Sequence, residues 1–231
     1  MMEAQPVVLV TGAAGQLGRA VATRLRDDGA RLLLVDRATG PLASFAGEGV
    51  EAIEADLLQV EQVRAAVERG VARFGRIDAV CHIAGGFRMG PAVHETTARD
   101  WEFLMDLNAR SLVHVANAVV PGMISRGRGA IVTVGAAAAL RGGANMGAYA
   151  ASKSAVIRLT ESMSAELREH GINVNCVLPS IIDTPDNRSA MPQADPSRWV
   201  APEKLASVIA FLLSDDASAV HGASIPVTGR V

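Results

Sequence analysis

Short apolar runs alternate with longer amphipathic ones along almost the whole chain. The short runs are residues 6–11 (PVVLVT), 31–36 (RLLLVD), 49–56, 77–83, 129–134 and 172–178 (INVNCVL), with a last one at 224–227. Their length and near-continuous aliphatic content predict strands buried on both faces. Between them, residues 16–28, 60–74, 98–126, 148–170 and 202–214 carry apolar positions at helical spacing. Gly29 and Gly75 stand where the first two helices should stop, and Pro121-Gly122 should bend the long third one near its end. Residues 184–200 are polar, Pro-containing and aperiodic, which predicts a loop or short-helix lid. Strand–helix alternation almost without exception predicts an α/β fold: a parallel sheet of about seven strands with helices on both faces, ligands binding at the carboxyl ends of the strands. Both halves share that sheet, so residues 1–231 form a single domain in this reading.

Composition narrows the class. A length of 231 residues is enough for one large core, and with aromatics at 3% that core is aliphatic. A net charge of −2 gives no reason to expect nucleic acid or an anionic membrane as partner. No apolar run is long enough to span a bilayer, and the first ten residues lack a signal-peptide layout. Cys81 and Cys176 lie inside strand-like runs and read as reduced core thiols, which predicts a cytoplasmic protein. The five histidines show no ligand spacing, so no metal site is expected.

The candidate chemistry lies in Gly147-Ala148-Tyr149-Ala150-Ala151-Ser152-Lys153. Four-residue spacing puts Tyr149 and Lys153 on one helix face. Tyr149 is the only tyrosine, and Lys153 one of two lysines among 22 basic residues. An ammonium one turn away should favour the phenolate and lower the tyrosine's pKa from about 10. At the other end of the chain, Gly12, Gly15 and Gly18 make a G-x-x-G-x-x-G turn between a strand and a helix. Such glycines let the backbone approach a pyrophosphate at a helix N-terminus. Asp36 closes the second strand, where a carboxylate accepts hydrogen bonds from ribose hydroxyls and repels a 2′-phosphate. NAD(H) is therefore expected over NADP(H), with Arg37 the one residue arguing the other way. Asp56-Leu57 closes the third strand and either borders the adenine or caps the next turn.

Taken together, these stretches resemble the short-chain dehydrogenase/reductase family over nearly the whole chain. The resemblance implies a Rossmann-type fold and hydride transfer between a nicotinamide and a substrate C=O or C=N. It implies Tyr149 as proton donor or acceptor, with Lys153 on the nicotinamide ribose. Asn108, in Leu107-Asn108-Ala109, matches the family's helix asparagine that supports a proton-relay water. Cofactor contacts are implied at Gly12, Gly15, Gln16, Leu17, Gly18, Asp36, Arg37, Asp56, Leu57, Ala84, Gly85, Pro179, Ile182 and Thr184. The long third helix and the Tyr149 helix are implied to pair in a homodimer or homotetramer.

Four departures from the family pattern stand out. Gln16 replaces a glycine. The N-N-A-G motif reads His82-Ile83-Ala84-Gly85, where a lone histidine reads as structural. Pro179-Ser180 replaces P-G. Ala136 stands thirteen residues before Tyr149, where the family carries its catalytic serine; Thr133, Ser180 and Asn145 are the nearby polar candidates. The segment around Gly135-Ala136, the stretch Ala84-Gly85-Gly86-Phe87 and the lid resemble serine-less dihydropteridine reductases, which reduce a quinonoid pterin with NADH. The implied activity is thus an NAD(H)-dependent oxidoreductase acting on a quinonoid dihydropteridine-like substrate. A ketone or secondary-alcohol dehydrogenase of 3-oxoacyl type with a substitute for the serine, and a catalytically silent NAD-binding sensor or partner subunit, are the alternatives.

Overall fold

The computed structural model describes residues 5–231. Seven strands form one parallel sheet: β1 (Val7–Thr11), β2 (Arg31–Asp36), β3 (Val50–Glu54), β4 (Ala79–His82), β5 (Gly129–Val134), β6 (Ile172–Pro179) and β7 (Ser224–Val227). Their spatial order is β3-β2-β1-β4-β5-β6-β7, so the chain reverses direction across the sheet between β1 and β4. That reversal opens a crevice at the carboxyl edge, where ligands bind in folds of this kind.

Alternation within each strand sends side chains to two separate cores. Val8 and Val10 of β1 and Leu32 and Leu34 of β2 pack with α1 (Gln16–Asp27) and α7 (Pro202–Leu213). Val7, Leu9, Leu33 and Val35 point the other way, onto α2 (Val60–Phe74) and residues of the later helices. Leu32, Leu33 and Leu34 are all fully buried, as a strand covered on both faces requires. The fold is thus the three-layer doubly wound α/β arrangement that the apolar pattern predicts.

The long third helix departs from expectation in an informative way. It comprises α3 (Ala98–Met105), a single π turn at Asp106–Arg110, and α4 (Ser111–Arg126). The helix continues through Pro121 to Arg126; the irregularity lies earlier, at the π turn, where Ser111 N–H donates to the Asp106 carbonyl five residues back. Such one-residue insertions commonly mark functional positions. Here the turn carries Asn108, which is 1% exposed. Strand β4 begins at Ala79, two residues later than predicted, because the Asp78 side chain accepts the Val7 N–H at 2.9 Å in place of a ladder bond. Two short 3₁₀ turns, at Gly40–Phe45 and Val93–Glu95, were not expected from the sequence.

The Tyr149 helix, α5 (Gly147–Leu167), ends in a 3₁₀ turn to His170, close to the predicted span. Within the lid, α6 (Pro185–Ala190) is capped by Thr184, and a lone parallel bridge joins Ile182 to Val200. Asn187 Nδ2 donates to the Ile182 carbonyl at 2.8 Å, and Arg188 pairs with Asp183 through two bonds of 2.6 and 2.7 Å. Among the described residues, no helix is long and apolar enough to cross a membrane.

Candidate active site

The glycine turn is built by close backbone approach. Gly12 has φ +66°, and a Cβ there would lie 2.7 Å from the Ala84 amide nitrogen. A Cβ on Gly18 would lie 2.7 Å from Ala13 Cα, against a backbone that cannot give way. The N-cap of α1 is Gly15, which offers no side-chain cap. The first-turn amides of Gln16, Leu17 and Gly18 are therefore free to face an anion. Asp36 Oδ2 accepts the Ala14 N–H at 2.9 Å and Oδ1 accepts the Arg37 N–H at 2.7 Å, which locks the end of β2 to the turn. Asp56 Oδ1 accepts the Leu58 N–H at 2.9 Å, so it caps its turn. His114 Nδ1 donates to the Leu57 carbonyl at 2.8 Å and fixes the same segment from α4.

From Ala84 the chain runs directly to the tyrosine. Asn108 clamps Gly86: its Oδ1 accepts the Gly86 N–H at 2.9 Å and its Nδ2 donates to the Gly86 carbonyl at 3.1 Å. The second Nδ2 hydrogen goes to Ser152 Oγ at 2.9 Å, and Ser152 in turn donates to the Tyr149 carbonyl at 2.8 Å. Both Nδ2 hydrogens of Asn108 are thereby used. A Cβ on Gly85 would lie 2.7 Å from Asn108 Oδ1 and 2.9 Å from Lys153 Nζ, so the three residues converge on one point. Next along the chain, the Phe87 ring meets the Tyr149 ring edge-to-face, with centroids 4.9 Å apart at 86°. Ser152 lies inside the Tyr149–Lys153 motif, and its partnership with Asn108 is visible only once α3–α4 and α5 are docked. Pro179 ends β6 in the core, with Ile182 and Thr184 just beyond it at the base of the lid.

The electrostatics correct one expectation. Burial pushes the Tyr149 hydroxyl up to about 12, rather than a neighbouring charge pulling it down. Burial also brings Lys153 down to about 8. The Lys153 ammonium donates to the Val134 carbonyl at 2.9 Å, and only 6% of the residue is exposed. For both groups the loss of water is the leading cause. A tyrosine in this state keeps its proton at neutral pH.

His82 is structural. Ser111 donates to the Leu107 carbonyl at 2.7 Å, so its oxygen accepts from His82 Nε2 at 3.2 Å. His82 Nδ1 must then accept from Thr11 Oγ1, at 3.0 Å. This assigns a neutral ring with both nitrogens occupied. Burial, and then the Lys153 charge, push its pKa down to about 3. Cys81 and Cys176 are free and buried, and burial raises both thiols.

Ala136, 4% exposed, caps the 3₁₀ turn Ala137–Ala139 and offers a methyl where a serine is expected in this family. Two of the three nearby candidates are committed elsewhere. Thr133 Oγ1 bonds Thr160 Oγ1 at 2.7 Å, and Ser180 Oγ donates to the Thr228 carbonyl at 2.7 Å. A groove of about 490 Å³ lined by Val93, Trp101, Gly147 and Ala151 lies on the outer side of α5 and includes neither Tyr149 nor Lys153.

A glycine turn, a buried lysine and a tyrosine packed on Phe87 thus lie on one edge of a doubly wound sheet. Residues 6–195 match the model of the short chain dehydrogenase family. The chain belongs to that family. Levodione reductase of Leifsonia aquatica is 32% identical, with 96% of this chain and 92% of that protein covered. Cis-4-hydroxycyclohexanecarboxylate dehydrogenase of Sinomonas cyclohexanicum is 33% identical, covering 98% and 96%. The crystal structure of 3-ketoacyl-(acyl-carrier-protein) reductase from Brucella melitensis complexed with NADH superposes with a TM-score of 0.89 at 27% identity, covering 97% and 98%. This short-chain dehydrogenase is accordingly an NAD(P)-dependent oxidoreductase.

Proposed function

We propose that the protein transfers hydride between NAD(H) and a ring carbonyl or its secondary alcohol, with Tyr149 supplying or receiving the proton. The convergence of Gly85, Asn108 and Lys153 beside a capped Tyr149 carries this reading. The glycine cradle fits a dinucleotide: its approach distances leave no room for side chains, and its amides are free. Gly12, Gly15, Gln16, Leu17 and Gly18 would hold the pyrophosphate. Asp36 would take the adenosine ribose with Arg37 beside it, and Asp56-Leu57 would border the adenine. Ala84, Gly85, Pro179, Ile182 and Thr184 would line the nicotinamide half. The nicotinamide supplies the hydride when bound. Lys153 orients its ribose, Asn108 fixes the Gly86 strand and the tyrosine's helix, and Tyr149 holds the proton at its hydroxyl.

A cyclic carbonyl is favoured because one relative is named for a hydroxylated cyclohexane ring, and because Phe87, Met89 and Leu140 expose apolar surface on the loops that follow β4 and β5. The second reading, a quinonoid dihydropterin, rests on Ala136: a conjugated C=N is already electrophilic and has less need of a hydroxyl donor. Following NADH and NADPH consumption with cyclohexanones and with quinonoid dihydropterin separates the two. The account expects cyclic-ketone turnover, with NADH preferred. If neither substrate class is consumed above background, the silent-binder alternative stands instead. The exposed Trp101, Phe103 and Val113 on α3 and α4 support pairing of these helices with a second copy, as a dimer or tetramer.

A further inference from the structure

A reduction of this kind builds negative charge on the substrate oxygen, and one hydrogen-bond donor to that oxygen is commonly worth about 10²–10³ in rate. Ala136 cannot supply it. Four candidate hydroxyls are spoken for: Thr133 on Thr160, Ser180 on the Thr228 carbonyl, Ser154 on the Ala139 carbonyl at 2.9 Å and Ser152 on the Tyr149 carbonyl. Asn145 differs from all of these. Its side-chain amide makes no hydrogen bond to any described residue, and it lines the same small cavity as Tyr149, between the loop after β4 and the start of α5.

Its backbone is also singled out. Asn145 is the only non-glycine among the described residues with a positive φ, +59°. Asparagine tolerates that conformation better than most residues, yet it still carries a cost. The conformation is held by the Gly90 N–H, which donates to the Asn145 carbonyl at 2.9 Å. Gly90 follows the Gly86-Phe87 segment that Asn108 clamps and that packs on Tyr149. Asn145 is therefore tied to the tyrosine through that loop, and along the chain it stands two residues before α5 begins. Strain held at an anchored residue is one way a site preorganises a donor.

We propose that Asn145 donates through Nδ2 the hydrogen bond to the substrate oxygen that the family's serine makes elsewhere. This inference rests on the functional reading above. In the reduction, a C–H bond forms at the carbonyl carbon as the C=O π bond breaks. The NADH hydride supplies the electron pair, and the oxygen takes the Tyr149 proton; the products are the alcohol and NAD⁺. Asn145 gives up no proton and steadies the charge on oxygen as it forms.

Asn145→Gly is the variant of choice, because glycine accepts the positive φ without strain. Asn145→Asp keeps size and backbone tolerance while removing the donor, and serves if the glycine variant melts. The expected result is a loss of about 100-fold in kcat and in kcat/KM together, the pattern of an interaction made only in the transition state. NADH affinity, read by fluorescence titration, should stay within twofold. Wild-type turnover with both variants within twofold of it overturns the inference and leaves the functional reading intact. A wild-type enzyme inert towards every ketone and pterin overturns the functional reading and this inference with it.

Discussion

His82 makes the stability of this protein depend on acid. Its ring is 2% exposed and accepts the Thr11 hydroxyl on one nitrogen while donating to Ser111 from the other. Protonation would put a second N–H against Thr11 and an unpaired charge in the core. The folded pKa lies near 3, against an ordinary value of 6.5, because of burial first and the Lys153 charge second. The unfolded chain thus binds the proton more tightly. Stability is fully present above pH 6.5 and is lost as pH falls towards 3, at about 1.4 kcal/mol per pH unit. By about pH 5 the loss attributable to this ring is about 2 kcal/mol. His82→Asn removes the titrating group and keeps an amide able to bond Thr11. Urea unfolding of both proteins at pH 7.5 and pH 5 reads the effect. The wild type should lose about 2 kcal/mol more than His82→Asn over that interval. Equal losses in the two proteins would refute the neutral, doubly bonded ring.

Gly18→Ala should cost about 1–3 kcal/mol of stability, since its Cβ would press on the Ala13 backbone; thermal melts and NADH titration should show a lower Tm and at least tenfold weaker binding. Asp36→Ala should narrow the preference for NADH over NADPH, read as the ratio of kcat/KM values, and an unchanged ratio would remove Asp36 from cofactor selection. Light scattering at micromolar concentration should give a dimer or tetramer mass, and a monomer would contradict pairing through α3, α4 and α5.

Much of this architecture was legible in the sequence because burial on both faces of a strand leaves a visible trace. Runs such as RLLLVD have few other uses, and Gly75 marked the end of α2. The π turn was not legible: α- and π-helical stretches share the same apolar pattern, and the choice depends on docking Asn108 against Gly86 and Ser152. Strand β4 looked longer than it is because Ile77 is buried without pairing, while the Asp78 side chain takes a ladder position. At the site, the glycine turn, Tyr149 and Lys153 could be named from spacing, and Asn108 from the family resemblance. The acidity of Tyr149 could not be, because spacing counts the nearby charge but not the lost water. Whether Thr133 or Ser180 could replace the absent serine was equally invisible, since both are committed to partners at least 27 residues away.

Tyr149→Phe tests the central claim most directly, because it removes one hydroxyl and keeps the ring that packs on Phe87. With NADH and a turned-over ketone, the account predicts a fall in kcat of about 10²–10⁴, the usual worth of a positioned general acid, with NADH affinity unchanged. A variant that still turns over within a few-fold of the wild type would show that the proton comes from elsewhere.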